Sequence, residues 1–471
     1  MTTDTAPSNE VGAAKEAGAQ ATPSNKPSAG AANEASTQAA TSNKPRVVIV
    51  GGGVAALETA LALAQLAPER AAVTLLAPNT DFAYRPLAVR EPFAYAPAHR
   101  YPLRRIASDA GAELLSEKLS WIDPANQTIH TESDAAIAYD MLVLATGARV
   151  TARYTHAATI DDRRLDETLH GLIQDVEGGY VHSIAFVAPG RMAWPLPLYE
   201  LALMTAGRAY DMGVELATTI VSPEDSPMAI FGATASEAVA QLLERSQIQT
   251  INSAYAEVPS AGTLRINPGD RELRVDRVVA LPELYGPCVR GIPLAEHGFI
   301  RVDPHGRVLD VEHVYAAGDA TDFAVKHGGV GSQQADAVAE SIAALLGAPV
   351  TPAPFHPVIR GMLLTGEQPL YLTARITGGQ GFSSEVSATP TWSPPSKISS
   401  RYLAPYLDGL DRERGDVNAQ LTPAAGSAPA KSASARAATT SGSSSAMKWP
   451  ESSRNSRLMS SAQVRQSPRL R

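Results

Sequence analysis

Short apolar runs rich in β-branched residues recur along the middle of the chain, each followed by glycine or proline. Arg46-Val47-Val48-Ile49-Val50 shows no polar alternation after its arginine, which predicts a strand buried on both faces, as in a parallel sheet. Three glycines follow, and the Ala/Leu-rich stretch from Val54 to Leu66 predicts a helix that Pro68 ends. Val73 to Ala77 supplies the next strand, so the unit is strand, glycine turn, helix, strand within about 30 residues. Further strands are predicted at Tyr139–Leu144, Ser183–Ala188, Glu215–Val221, Met228–Phe231, Arg277–Leu281 and Val314–Ala316, with a helix over Tyr199–Arg208. Alternating strands and helices predict an α/β fold, and the length suits two parallel sheets better than one.

The two ends read differently. Residues 1–44 contain 33 Ala, Ser, Thr, Asn, Pro or Gly. Such a stretch buries too little apolar surface to offset the entropy of ordering it, so disorder is expected there and again from about Asp411. The net charge is −8, yet residues 431–471 hold eight Lys or Arg against one Glu, which leaves the body strongly acidic. An acidic body argues against a nucleic-acid groove, and the sparse tail charges read as a solvated end. The single cysteine, Cys288, rules out an intrachain disulfide and a thiolate metal site, so no metal is expected. With no signal-type apolar segment and no run long enough to span a bilayer, a cytoplasmic location is expected.

The first turn, Gly51-Gly52-Gly53-Val54-Ala55-Ala56, fits G-x-G-x-x-A. The first glycine permits the tight turn, the second lets backbone approach a pyrophosphate, and a small last residue lets helix and strand pack closely. The anion would sit at the helix N-terminus, where free N–H groups and the dipole favour it. The acid that usually ends the second strand and holds a ribose is absent; Ala77-Pro78-Asn79 stands there, with Asn79 and Asp81 as possible substitutes. Near the other end of the folded region stands Val314-Tyr315-Ala316-Ala317-Gly318-Asp319-Ala320.

The glycine turn, the run Tyr139-Asp140-Met141-Leu142-Val143-Leu144-Ala145-Thr146-Gly147 and the Gly318-Asp319 strand end, in this order, resemble the two-dinucleotide-binding-domain FAD-dependent oxidoreductases. Within them the chain is most similar to the branch of type II NADH dehydrogenases and sulfide:quinone oxidoreductases, as a cysteine-poor bacterial member. Those relatives follow the turn with Gly, Leu and Glu; here it is Ala56-Leu57-Glu58. The resemblance implies two Rossmann-like FAD/NAD(P)-binding domains, a small C-terminal cap and disordered termini. It implies a low-complexity segment over 1–44, a first part of the FAD domain over 45–150 and a second nucleotide-type domain over 151–295. The second part of the FAD domain then covers 296–350, the cap 351–410 and a basic tail 411–471.

By the same resemblance the FAD pyrophosphate lies over Gly51, Gly52, Gly53, Ala55 and Ala56, with Ala145, Thr146 and Gly147 beside the cofactor. Gly318 and Asp319 serve the pyrophosphate and ribityl chain, unless Asp319 simply caps the following helix. Leu119 meets the adenine through main-chain groups, and Arg85 lies on a segment near the isoalloxazine or on an ordinary loop. Lys326 and the helix N-terminus at Gly329 face the flavin pyrimidine, where reduction leaves negative charge, so Lys326 is the candidate catalytic residue. His327 is expected at the surface, with a proton-shuttle role as the less favoured reading.

The second nucleotide turn departs from the pattern. Ala188-Pro189-Gly190-Arg191-Met192-Ala193-Trp194-Pro195 has one glycine, and its prolines remove N–H donors that a pyrophosphate needs. That resembles sulfide:quinone oxidoreductases, whose second domain takes no nicotinamide nucleotide, although Arg191 can still grip an adenosine phosphate. The paired cysteines of sulfide chemistry are missing too, and Cys288 reads as a packed thiol. The expected function is therefore FAD-dependent electron transfer from a small-molecule donor to a quinone-like or other diffusible acceptor, without a redox cysteine pair. An NAD(P)H dehydrogenase with an atypical nucleotide site and a non-catalytic flavin-binding sensor or partner protein are the alternatives. Met362-Leu363-Leu364 and Tyr402–Leu407 are expected to form a small apolar lip for weak peripheral contact with the inner membrane face, and a homodimer is compatible with this reading.

Overall fold

The computed structural model describes residues 44–377 and 381–415. The expected disorder of 1–43 and of the tail beyond 415 lies outside the described residues. Helices are α1 (Val54–Leu66), α2 (Leu103–Asp109), α3 (Leu165–Glu177), α4 (Leu196–Asp211), α5 (Ala233–Arg245), α6 (Gly328–Leu345) and α7 (Leu403–Glu413).

A five-stranded sheet runs Val314–Ala316, Met141–Leu144, Arg46–Val50, Ala72–Leu76, Ala112–Leu115 across its width, with every pairing parallel. Val47 pairs with Val73 on one side and Met141 on the other, and Val47 to Val50 are all buried. That double burial is what a run without polar alternation requires. A second five-stranded sheet, Ala158–Thr159, Arg277–Ala280, Ser183–Val187, Ala217–Val221, Ile248–Ile251, is also wholly parallel. The two parallel sheets expected from the sequence are thus present.

A three-stranded antiparallel sheet, Val358–Leu363, Leu370–Thr377 and Gly381–Ser387, follows α6, and α7 closes the described chain. Gly361 has Phe231 directly over it, with Cζ 2.7 Å from the place a Cβ would take. Met228–Phe231 is not the expected strand. Met228 takes a left-handed φ of +56°, a 3-10 turn covers Ala229–Phe231, and Gly232 at φ +83° turns the chain into α5. Phe231 is apolar because it fills this corner, not because it joins a sheet.

The C-terminal helix runs past the expected end of the folded region at 410. Asp411 is buried and accepts from Tyr101 Oη at 2.9 and 3.0 Å. Glu58, on α1 and fully excluded from solvent, accepts from the N–H groups of Arg401 at 2.7 Å, Tyr402 at 2.9 Å and Leu403 at 2.6 Å. A carboxylate is the strongest acceptor for the free N–H groups at a helix start, so α7 is pinned to α1 from its first turn. The expected apolar lip is corrected by the same packing. Met362, Leu363, Leu364, Leu403 and Leu407 are all buried within the fold.

Candidate functional site

In an open parallel sheet a ligand crevice forms beyond the carboxyl ends of the strands, where neighbouring connections leave in opposite directions. In the first sheet that point lies between Arg46–Val50 and Met141–Leu144. The Gly51 N–H donates to Leu76 O at 2.9 Å, the Ala145 N–H to Val50 O at 2.8 Å and the Ala317 N–H to Leu144 O at 3.1 Å. The three motif segments Gly51–Ala56, Ala145–Gly147 and Gly318–Asp319 therefore leave the sheet side by side.

The glycines there do different jobs. Gly51 has φ +132°, and a Cβ would stand 2.2 Å from Ala145 O, so this position admits only glycine. Gly52 lies under Leu103, whose Cδ1 would be 2.9 Å from a Cβ. A Cβ on Gly53 meets nothing within 4 Å, and Gly53 precedes α1 without a side-chain cap or an acidic residue in the first turn. Open space in front of an uncapped helix start is a cradle for an anion. Ala56 is fully buried, and Ala55 Cβ lies 3.0 Å from the Cβ position of Gly318. Gly147 takes φ +72° with open space around it, and Thr146 is exposed beside the buried Ala145.

Asp319 follows Gly318 in a single 3-10 turn, Gly318–Ala320. The Gly318 N–H donates to Gln334 Oε1 at 2.8 Å, and Gln334 Nε2 donates to Thr321 Oγ1 at 3.2 Å, so a buried α6 side chain holds this turn. Desolvation pushes the Asp319 carboxyl up to about 6, with Lys326 pulling it back and Asp162 adding to the rise. Lys326 is buried, donates through Nζ to Thr321 O and sits 4.1 Å over the Phe299 ring. Its pKa falls to about 8, mainly through desolvation, while Asp319 and Asp322 oppose the fall.

Arg85 Nη1 is 3.7 Å from Asp162 Oδ1, and desolvation first, then Asp161, raises the Asp162 carboxyl against the pull of Arg85 and Arg163. Leu119 begins a strand of a separate antiparallel sheet, pairs with Thr131 and packs beside the cluster containing Val50 and Leu76. His327 is not a surface residue. Its ring is half-buried and tilted against Trp194 at 4.3 Å, and burial, then Lys397, drives its pKa down to about 3. A neutral ring at physiological pH has no proton to shuttle by titration. Gly329 is buried beneath it: a Cβ would meet His327 Cε1 at 2.9 Å and Ser399 O at 3.4 Å.

The second sheet has its own switch point, between Ser183–Val187 and Arg277–Ala280. Here the turn after Val187 brings Pro195 to the start of α4 and Pro197 into its first turn, and Trp194 packs on Phe231 at 5.7 Å and on His327. Beside it opens a pocket of about 610 Å³, with Arg191, Leu284, Phe299, Arg301, Phe323 and Lys326 among its walls. Lys326 thus borders the pocket while standing electrostatically next to Asp319.

Residues 45–176 and 200–340 match the family described as pyridine nucleotide-disulphide oxidoreductase. The chain belongs to this family. A similar protein is an NADH dehydrogenase-like protein of Mycobacterium tuberculosis, 25% identical over 295 residues that make up 58% of this chain and 72% of the relative. A sulfide-quinone reductase of Aquifex aeolicus is 32% identical over 106 residues, 22% of this chain and 24% of the relative. The solved sulfide:quinone oxidoreductase of Aquifex aeolicus shares the fold with a TM-score of 0.66 at 19% identity, over 81% of this chain and 93% of its own. Family and relatives are oxidoreductases.

With one cysteine in the sequence, this family member cannot use the intrachain disulfide of the family's description. Cys288 is not the packed thiol expected from the sequence: it is exposed, at φ +55°, and accepts from Arg149 Nη2 at 3.0 Å. Among the described residues no group of three or more His, Cys, Asp or Glu could hold a metal ion, and no helix is long and apolar enough to cross a membrane. Sequence reasoning missed Gln334, Asp162 and the buried pair Lys397–Glu200, 2.5 Å between Nζ and Oε1, which ties the segment before α7 to α4. Each is an ordinary polar residue whose partner lies far along the chain.

Proposed function

We propose that this oxidoreductase binds FAD at the first switch point and passes electrons from a small donor to a quinone-like or other diffusible acceptor, without a cysteine pair. The observation that carries the reading is the open space at Gly53 before the uncapped start of α1, flanked by the segments at Ala145 and Gly318. Bound FAD would supply reversible two-electron chemistry. The chain's own groups would hold it: N–H groups of the Gly52–Ala56 turn around the pyrophosphate, Gly318 leaving room beside them without a side chain, Asp319 accepting from a ribityl hydroxyl, and Leu119 serving the adenine through its main chain.

Asp319, with its pKa near 6, is mostly ionised at neutral pH, and Lys326, near 8, mostly protonated. A cation held against the Thr321 carbonyl and over Phe299 would offset negative charge gathering beside it. Arg85, paired with Asp162, would add a second cation to the proposed site. The domain boundaries expected from the sequence, with the cap carried through α7, a cytoplasmic setting and a homodimer belong to this proposal. A nicotinamide-dependent reading is favoured by one observation, the NADH dehydrogenase-like relative, and opposed by Pro195, Pro197 and Trp194 at the second turn.

Purified full-length protein should be yellow and release FAD on denaturation. Anaerobic mixing with NADH or NADPH should leave the flavin oxidised. Rapid bleaching would install the nucleotide reading, and protein that is colourless and cannot be reconstituted would end the flavin reading altogether.

A further inference from the structure

We propose that the pocket of about 610 Å³ beside the second switch point binds an organic anion with a compact apolar body, such as an aryl carboxylate. The electron donor of the proposed reaction is drawn from this class, and that half of the inference rests on the FAD-dependent reading; the binding half stands on the pocket alone.

Its position is where an open α/β sheet takes ligands, beyond the strand ends on either side of a change in connection. Its charge has the wrong sign for its surroundings. Arg191, Arg301 and Lys326 face it against Glu296 and Asp322, so three cationic side chains stand against two acidic ones in a chain of net charge −8. An excess of cationic side chains in a cleft of an acidic chain favours an anionic ligand there.

Two of the three cations are fixed before any ligand arrives. Arg191 Nη2 donates to Leu284 O at 2.8 Å, and its guanidinium lies 4.7 Å over the Tyr285 ring. Lys326 is held by Thr321 O above Phe299. A fixed guanidinium loses little freedom on binding and suits the planar, two-oxygen geometry of a carboxylate.

Met192, Leu284, Phe299 and Phe323 supply apolar wall between these charges, which calls for an apolar body on the ligand. A space of this size is generous for a hydrosulfide ion. A dinucleotide pyrophosphate would look for backbone N–H groups at the start of α4, where Pro195, Pro197 and Trp194 stand. An organic anion meets both demands. In the reaction such a donor loses two electrons and two protons from its carbon or heteroatom body, the carboxylate staying intact. The quinone-like acceptor takes up both electrons and both protons as the hydroquinone.

The test is calorimetric titration of the FAD-loaded full chain with benzoate, with its neutral isostere benzamide and with inorganic phosphate. Benzoate should bind, and benzamide and phosphate should each bind at least tenfold more weakly. Arg191→Gln should weaken benzoate at least tenfold with flavin content and melting temperature unchanged. If that variant misfolds, Arg301→Gln on the exposed rim carries the same expectation. Absence of benzoate binding, equal binding of benzamide or phosphate, or wild-type affinity in the well-folded variants would overturn the site. NADH that displaces benzoate and bleaches the flavin would overturn the donor class. Protein that takes no flavin would remove the proposed function, while the benzoate isotherm would still decide the pocket.

Discussion

Two neighbouring glycines, changed one at a time, separate the part of the first turn that shapes the fold from the part kept open for a ligand. Gly53 has φ −97° and ψ −172°, an extended conformation that a β-branched residue adopts readily, and a Cβ there meets nothing within 4 Å. Gly53→Val should therefore change folding stability by no more than about 1 kcal/mol, the unfolded chain losing some freedom as well. The same side chain would fill the cradle before α1. Displacing an anion from a helix start forfeits about 1 to 2 kcal/mol, and the clash adds to that, so FAD affinity should fall at least roughly tenfold. Gly51→Ala behaves in the opposite way. Its Cβ would stand 2.2 Å from Ala145 O at φ +132°, an overlap no side-chain rotation relieves, and about 3 kcal/mol or more of stability should go with it. The assay pairs thermal unfolding of each apoprotein with the flavin-to-protein absorbance ratio after gel filtration. Wild-type flavin content in Gly53→Val would refute the cradle, and a wild-type melting temperature in Gly51→Ala would refute the steric account of the turn.

Asp336 faces Glu58, and desolvation, then the Glu58 charge, raises its pKa to about 8. The folded state thus holds a proton that the unfolded chain releases near pH 4, so this residue makes stability fall as pH rises from about 4 to 8; Asp336→Asn should flatten that slope in thermal melts. Glu58→Gln would set an amide NH₂ against one of three N–H donors on the 401–403 segment and should cost about 2 to 4 kcal/mol, with α7 amides exchanging first; unchanged exchange there would contradict the pinning role. Cys288→Ser replaces the sulfur that accepts from Arg149 with a hydroxyl oxygen that also accepts, and should leave stability within about 0.5 kcal/mol and flavin content unaltered; loss of turnover with FAD still bound would bring thiol chemistry back.

What the sequence disclosed was local. The run Val47–Val50, the glycines after it and the Ala/Leu-rich helix specify their conformations within a few residues, and the first sheet assembles as those patterns require. The Met228–Phe231 run misled because short apolar runs serve corners as well as strands, and Gly232 with its positive φ was the overlooked signal. His327 misled for a different reason. Its environment is made by Trp194 from another sheet's turn, and no local pattern announces a half-buried imidazole. Glu58 illustrates the limit most sharply, since its acceptor role is spent on backbone 343 residues away. An acid in a helix rich in Ala and Leu was visible, but its burial and its partners were not.

The segment from Gly318 to Lys326 gives the two switch points a shared boundary. Its first two residues face the crevice at Gly53, held by Gln334 from α6, while Asp322, Phe323 and Lys326 line the pocket of the second sheet. Within nine residues the chain passes from one candidate site to the other without a helix or strand between them, apart from a single 3-10 turn. Lys326 Nζ is tied to Thr321 O inside this same segment, so a charge appearing in the pocket acts on an ammonium that also interacts with Asp319. An anionic donor in the pocket would raise the Lys326 pKa above about 8, and the protonated form would in turn favour ionised Asp319. Under the proposed function, an anion in the pocket would keep the already positioned Lys326 in its charged form beside the FAD crevice.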